Sequence, residues 1–372
     1  VPLKNTNPVL RKHMPELDTL RGFAILLAFL YHGLFWTLPQ DRLTSSATQF
    51  SSLFRGGWIG VQLFFVLSGF LITSGLLDAA GKPRYFRTFY FRRALRILPV
   101  FLLLVALLTA TRMIGWKFAL ASIAFTANLS PLLGIAMQYP PLWSLAVEEH
   151  FYAFWPLIVH RLAPRSIAIA SGALFLASPA IRGFAFAGGF THNMAFYTWF
   201  NIDGLALGAL LAVLARTISR RAFTITGAVS LLCGIGGAAA LIALGQWSRT
   251  SLGGSAFLLT ALYSIFGGLL ALSLIVGSSP RHALVRIPVL QRLGAISYGL
   301  YLVHVFCFTT FDRVAGVPSA MTTRFVLLRF ALAGGAAIVL ASLSRTYFEN
   351  YFLAMKNREP VLLDGPLDHQ IA

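Results

Sequence analysis

Two ionisable side chains interrupt an apolar run near the start of the chain, LDTLRGFAILLAFLYHGLFW at residues 17–36. Arg21 lies close to its beginning and His32 close to its end. On an α-helix turning 100° per residue, their eleven-residue separation leaves a net rotation of about 20° and a rise of roughly 16 Å. Both side chains then point the same way, one near a membrane face and the other well inside a hydrocarbon core about 30 Å thick. An ionisable group at that depth marks a polar pathway or a reaction centre, so the Arg21/His32 face is the expected functional axis. The other chemistry-bearing residues are Arg92, Arg93 and Arg96 in a basic stretch, the pair Glu148 and Glu149 beside His150, and Asp203, Tyr298 and His304.

The elements that hold these residues follow from composition. Of 372 residues 57% are hydrophobic and only 11% charged, with a mean hydropathy of +0.74. That excludes a water-soluble domain of this size and predicts an all-α, polytopic membrane helix bundle. The net charge of +18 would suggest nucleic acid in a soluble chain. In a membrane protein it is explained by basic cytoplasmic loops facing anionic lipid, and no nucleic-acid partner is expected. Cys233 and Cys307 lie in apolar segments without metal or redox spacing, which predicts inert core residues. No zinc, Walker or dinucleotide motif stands in a credible context, so no metal is expected.

Along the chain, a basic, proline-containing arm (1–16) precedes a membrane domain (17–346) and a short tail (347–372), both ends being expected in the cytoplasm. The first apolar run is expected to stay as an uncleaved span, since no A-x-A site follows it. Spans are expected near 17–38, 58–77, 97–113, 143–160, 166–187, 197–215, 222–244, 254–276, 293–311 and 324–346, about ten in all. The apolar stretch 118–137 is broken by Asn128, Pro131 and Gly134, and charge decides its topology. If it is re-entrant, 20 of the 30 Lys and Arg fall in cytoplasmic segments; a full crossing would put the 216–221 and 281–292 clusters outside. A re-entrant segment is tolerated only where protein or water satisfies its backbone, so 118–141 is expected to line a site.

Six motifs in order, LDTLRG…YH, GVQLFFVLSGFLI, FYFRRALRILPVF, WSLAVEEHFYAFWP, DGLALGALLA and LGAISYGLYLVH, resemble the integral-membrane acyltransferase family often called acyltransferase family 3. The resemblance runs from about residue 17 to 304. It implies that 17–346 is a membrane acyltransferase domain of the cell inner membrane. Such a domain moves an acyl group, commonly acetyl, from cytoplasmic acyl-coenzyme A to a hydroxyl of a glycan or glycosylated small molecule. Coenzyme A would be a co-substrate rather than a resident cofactor, and membrane lipid the remaining partner. The chain departs from the family's usual WSLSVEEQFY in Ala146 and His150.

On that reading His32 is the expected general base, since imidazole titrates near neutral pH; the alternative is a transient acyl carrier. Arg21 either pairs with Asp18 at the helix start or orients the site and donor. Arg92, Arg93 and Arg96 either bind the donor's phosphates or act only as a topology signal. Glu148 and Glu149 either orient a catalytic histidine and bind sugar hydroxyls or simply occupy a wet helix start, while His150 is a second possible base. Asp203, Tyr298 and His304 are divided between substrate contact and helix–helix hydrogen bonding, and Ser68-Gly69 is expected to be a close-packing spot. One continuous cavity is expected from the cytoplasmic face past Arg21 to His32. The rival reading is a membrane transporter in which His32, Arg21, the Glu pair and Asp203 form a proton or ion relay.

Overall fold

A computed structural model describes residues 9–11, 13–191 and 194–355. Lys4, Lys12, Lys356 and Arg358 of the expected arm and tail lie outside the described residues. In chain order the helices are α1 (Pro15–Tyr31), α2 (Ser45–Ser52), α3 (Ile59–Ala79), α4 (Tyr85–Ala110), α5 (Trp116–Ile123), α6 (Pro141–Arg161), α7 (Pro164–Ala187) and α8 (Thr198–Thr217). They continue with α9 (Arg220–Ala243), α10 (Leu252–Gly277), α11 (Pro288–Ala295), α12 (Ser297–Ala315), α13 (Thr323–Arg329), α14 (Gly335–Leu343) and α15 (Asn350–Met355). Eight helical stretches among the described residues are long and apolar enough to cross a bilayer, and the bent pair α11–α12, turning by 75°, makes a ninth. Helix α6 has the length to cross, 21 residues, but carries Glu148, Glu149 and His150.

Local sequence sets several boundaries. Proline opens α1, α6, α7 and α11, where its missing N–H and fixed φ cost nothing. Ser219 and Ser251 cap α9 and α10, each accepting from the backbone N–H three residues on. Helix α3 is apolar around its whole circumference and is accordingly buried on nearly all sides, packed by α1, α6, α8 and α10. At the rim, α7 and α9 leave Phe184, Leu232 and Ile225 exposed, as a lipid-facing surface requires.

The third span begins at Tyr85 rather than Ile97, so the basic stretch expected as a loop is the first three turns of α4. Likewise the last helical run continues through Met355, past the expected boundary at 346. Cys233 is exposed on α9 instead of buried, because α9 packs into the bundle mainly along its Gly227 and Gly234 side. Cys307 is in the core as expected.

The broken stretch 118–137 does not cross. Helix α5 has eight residues, reaching about 12 Å, and a 3-10 turn (Ala127–Leu133) follows it. Phe125, in the left-handed region at φ 54°, stacks on Phe101 at 5.0 Å. Phe101 stands nine residues before the end of α4, about 14 Å down the helix. The segment therefore dips inward and returns, and its buried Asn128 donates to Thr198 Oγ1 at 2.9 Å.

Ion pairs tie the helices together where α1 begins and α3, α8 and α10 end. Glu16 takes Arg11 and Arg286, both of which also donate to the Gly277 carbonyl, tying α1 to the end of α10. Arg216 reaches Asp78 at 2.8 Å and Ser74, joining α8 to α3. Between these helices the contact is backbone to backbone: a Cβ on Gly69 would strike the Leu205 carbonyl, and one on Gly208 the Val66 carbonyl. Gly69 is thus the close-packing spot expected, whereas Ser68 beside it turns to Glu148. Gly208→Leu should split α3 from α8 and lower the unfolding temperature in detergent, overpacking costing about 1–3 kcal/mol or more. An unchanged melting temperature would mean that this contact is not close.

Candidate active site

The first helix does not end at His32 but loosens there into a π-turn (His32–Trp36). A π-turn shifts backbone bonding by one residue and releases carbonyls, which must find donors inside the protein. Thr37 supplies both its backbone N–H (3.1 Å) and its hydroxyl (2.6 Å) to the His32 carbonyl. The fully buried Arg329 supplies the rest, donating to the Gly33 carbonyl and to Thr37 Oγ1 at 2.9 Å each. Asp312 fixes that guanidinium through both carboxylate oxygens, at 2.6 and 2.7 Å. Neither Arg329 nor Asp312 is evident as a site residue from sequence; the available signal is an arginine inside an apolar run, as with Arg21.

His32 is buried, and its Nδ1 lies 2.8 Å from the Ala28 carbonyl and 3.1 Å from His304 Nε2. His304 in turn places Nδ1 2.9 Å from the Leu300 carbonyl. A carbonyl only accepts, so each Nδ1 carries the proton and His304 Nε2 presents a lone pair to His32. His32 Nε2 is then left with its own lone pair and, among the described residues, makes no hydrogen bond. His304 is thereby a positioning residue for His32, a pairing that helix periodicity within α1 or α12 alone does not disclose.

Two cavities approach this centre from opposite ends of the bundle. The first, about 280 Å³, is lined by Arg21, Arg93, Arg96, Ser68, Glu148, Tyr298 and Tyr301 among others. Arg21 and Arg93 both act electrostatically on Arg96 within it. Arg21 also bonds Asp18 at 2.8 Å, the helix-start pairing expected as one of its two alternatives. The second, about 810 Å³, contains His32, Gln62, Arg55, Arg249 and a set of aromatic rings. Tyr301 and Val61 line both. The single continuous cavity expected is therefore two, meeting at a wall in which the Tyr301 hydroxyl shares a 2.6 Å hydrogen bond with Ser144 Oγ.

The remaining candidates separate. Arg93 and Arg96, three residues apart on α4, face the first cavity; Arg92 does not line it, being turned aside by the helix that replaces the expected loop. Glu148 points into the first cavity, accepting from Ser68 (3.0 Å) and the Tyr152 hydroxyl, while the Arg93 guanidinium lies 3.9 Å over the Tyr152 ring. Glu149 turns about 100° away into a third cavity with Arg93 and His150. The two carboxylates thus do not act on one centre. His150 bonds Thr198 Oγ1 at 2.7 Å and lines neither main cavity, which removes it as a second base beside His32. Asp203 is wholly buried on Arg182 (2.9 Å) and Thr260 (2.8 Å), joining α7, α8 and α10. Tyr298 donates to the Ile97 carbonyl at 2.7 Å yet still lines the first cavity.

The arrangement can hold a polyanion at one end and take a proton from a hydroxyl at the other. In histidine-¹⁵N-labelled protein at neutral pH, the His32 signals, assigned by their loss in His32→Gln, should show a protonated Nδ1 and an unprotonated Nε2. An Nε2–H tautomer would contradict the hydrogen-bond chain through His304.

Comparison with known proteins identifies the family of the chain. The family described as Acyltransferase domain matches residues 14–344. The O-acetyltransferase OatA of Staphylococcus aureus is 29% identical over 336 residues, 79% of this chain and 50% of that protein. The putative peptidoglycan O-acetyltransferase YrhL of Bacillus subtilis is 33% identical over 172 residues, 40% of this chain and 24% of its own length. The peptidoglycan O-acetyltransferase OatA of Listeria monocytogenes is 31% identical over 173 residues, 41% and 25% of the two chains. The chain spans at most about half the length of these curated relatives. No solved structure matches it. Because the family match runs from the start of α1 to the end of α14, carrying the His32 turn and both cavities with it, this chain belongs to the integral-membrane acyltransferase family.

Proposed function

We propose that this chain is a membrane O-acyltransferase carrying an acyl group, in the first instance acetyl, from acyl-coenzyme A to a hydroxyl of a glycan or glycosylated small molecule. The observation that carries the reading is the pair of cavities that meet at Tyr301 and Val61, one cationic and one holding His32. Coenzyme A is polyanionic, and Arg93 and Arg96, with Arg21 beside them, are placed to take its phosphates by charge-assisted hydrogen bonds. Its pantetheine arm would then run between α3, α4 and α12 towards Tyr301. The acceptor occupies the second cavity with a hydroxyl at His32 Nε2.

In the transfer, the hydroxyl oxygen attacks the thioester carbonyl carbon as its proton passes to His32 Nε2. The C–S bond breaks, and the imidazolium returns the proton to the departing thiolate. His304 Nε2, accepting from His32 Nδ1–H, stabilises the imidazolium that forms in between. The Tyr301 hydroxyl and the Gln62 amide N–H, whose carbonyl is already taken by Tyr263, are the donors nearest the developing oxyanion. The Tyr301–Ser144 hydrogen bond must open for the thioester to reach His32, since that pair closes the wall.

Donor chemistry orients the protein: the cationic cavity faces the cytoplasm, which places the described start and end of the chain there and the second cavity on the far side of the inner membrane. The relatives named O-acetyltransferases support the reaction class. A proton or ion relay would need Asp203 in reach of His32. Asp203 is instead held on Arg182 and Thr260, and among the described residues no carboxylate lines the second cavity.

The test separates donor binding from chemistry in purified protein. His32→Ala should bind coenzyme A as the parent does but lose acetyl transfer by about 10²–10⁴-fold. Arg93→Ala and Arg96→Ala should each weaken coenzyme A binding by about 1.5–3 kcal/mol. Loss of donor affinity in His32→Ala equal to that in the arginine variants would refute the division of labour.

Orientation is checked by labelling intact cells in a background of Cys233→Ser and Cys307→Ala. An impermeant thiol reagent should reach Ser248→Cys and spare Ser219→Cys, both sites being exposed. Labelling of Ser219→Cys from outside would invert the assignment.

A further inference from the structure

The second cavity has a composition that goes beyond what acyl transfer to a hydroxyl demands. Four of the chain's seven tryptophans, Trp36, Trp58, Trp143 and Trp247, line it together with Phe196. Its volume of about 810 Å³ suits a ligand of one to a few rings. Aromatic faces of this kind offer flat apolar platforms to the C–H faces of pyranose rings. Hydroxyls of a neutral sugar are commonly held by carboxylates, yet among the described residues no Asp or Glu lines this cavity. Two arginines do. The Arg249 guanidinium lies 4.0 Å over the Trp58 ring, which fixes its plane and leaves its N–H edge to bond in-plane acceptors. Among the described residues neither Arg55 nor Arg249 has an ion-pair partner, unlike Arg11, Arg182, Arg216 and Arg329. Both act electrostatically on the Tyr31 hydroxyl, and the Tyr31 ring lies 5.0 Å from His32.

We propose that this cavity is a subsite for an anionic saccharide, its ring face on the tryptophans and its carboxylate or phosphate on Arg55 and Arg249, which places a hydroxyl at His32. The inference rests on the acceptor reading above and names its substrate class. The carboxylate and the phosphate share one chemistry here, a planar or tripodal set of oxygens taken by guanidinium forks.

Binding is read by quenching of tryptophan fluorescence in nanodiscs of zwitterionic lipid. The probes are a uronate disaccharide, its carboxyl-reduced neutral counterpart, a sugar phosphate and its dephosphorylated form. The parent protein should prefer the acidic member of at least one pair by on the order of 10-fold or more. The pair in which the preference appears identifies the anion. Arg55→Gln/Arg249→Gln should abolish that preference and its salt dependence, and Arg55→Lys/Arg249→Lys should restore part of it. Equal binding of acidic and neutral probes, no binding of any saccharide, or occupation of the arginines by phosphatidylglycerol that the acidic probes fail to displace would each overturn the proposal. Acetylation of neutral and acidic probes alike would overturn it while leaving the acyltransferase reading intact. Selective binding of the acidic probe without any acetyl transfer from acetyl-coenzyme A would sustain the subsite and remove the acyltransferase reading.

Discussion

Inside a membrane protein a carbonyl released from helical hydrogen bonding has no water to turn to, and the turn that carries His32 releases several. Their donors come from Thr37 and from one buried cation, Arg329, held in place by both oxygens of Asp312. This contact joins α1 to α12 and α13, the helices that carry His32, His304 and Arg329. Removing the cation would leave Asp312 and the Gly33 carbonyl without partners, a cost of several kcal/mol in a buried setting. The π-turn is held by that one guanidinium through Gly33 and Thr37, while His304 and the Ala28 carbonyl orient the imidazole.

Charge in this protein is divided by use. Arg11 and Arg286 on Glu16, Arg182 on Asp203 and Arg216 on Asp78 are consumed in tying helices together. In contrast, the first cavity collects Arg21, Arg93 and Arg96 with Glu148 as the one acid among its described lining residues, Arg21 also pairing with Asp18, and the second collects Arg55 and Arg249 with no acid among its described lining residues. Like charges gathered in a low-dielectric cleft repel unless an anion joins them, which is the electrostatic support for the anionic ligands proposed for both cavities. Tyr301 stands at the wall between them, its ring 5.7 Å from that of His304 and its hydroxyl on Ser144. A reaction that takes its acyl group from one side of a membrane and its hydroxyl from the other needs a wall of this kind, narrow and polar at one point.

The sequence by itself determined the class of fold, because continuous apolar runs of about 20 residues satisfy their backbone polar groups in a bilayer as helices, where a barrel would need short alternating segments. It also determined the re-entrant path of 118–137, since Asn128, Pro131 and Gly134 break the helix while the distribution of arginines forbids a crossing. The common face of Arg21 and His32 followed from helix periodicity within one element. Tertiary structure alone decided which residues share a centre. His304 comes to His32 across 272 residues, Arg329 to Gly33 across 296, and neighbours as close as Glu148 and Glu149 are sent to different cavities. Arg92 was set apart from Arg93 and Arg96 by the early start of α4, where packing extended a helix that charge alone had marked as a loop. Spacing along a helix reports direction within that helix, whereas the meeting of side chains from different helices depends on close contacts such as Gly69 against Leu205, and these have no period to read.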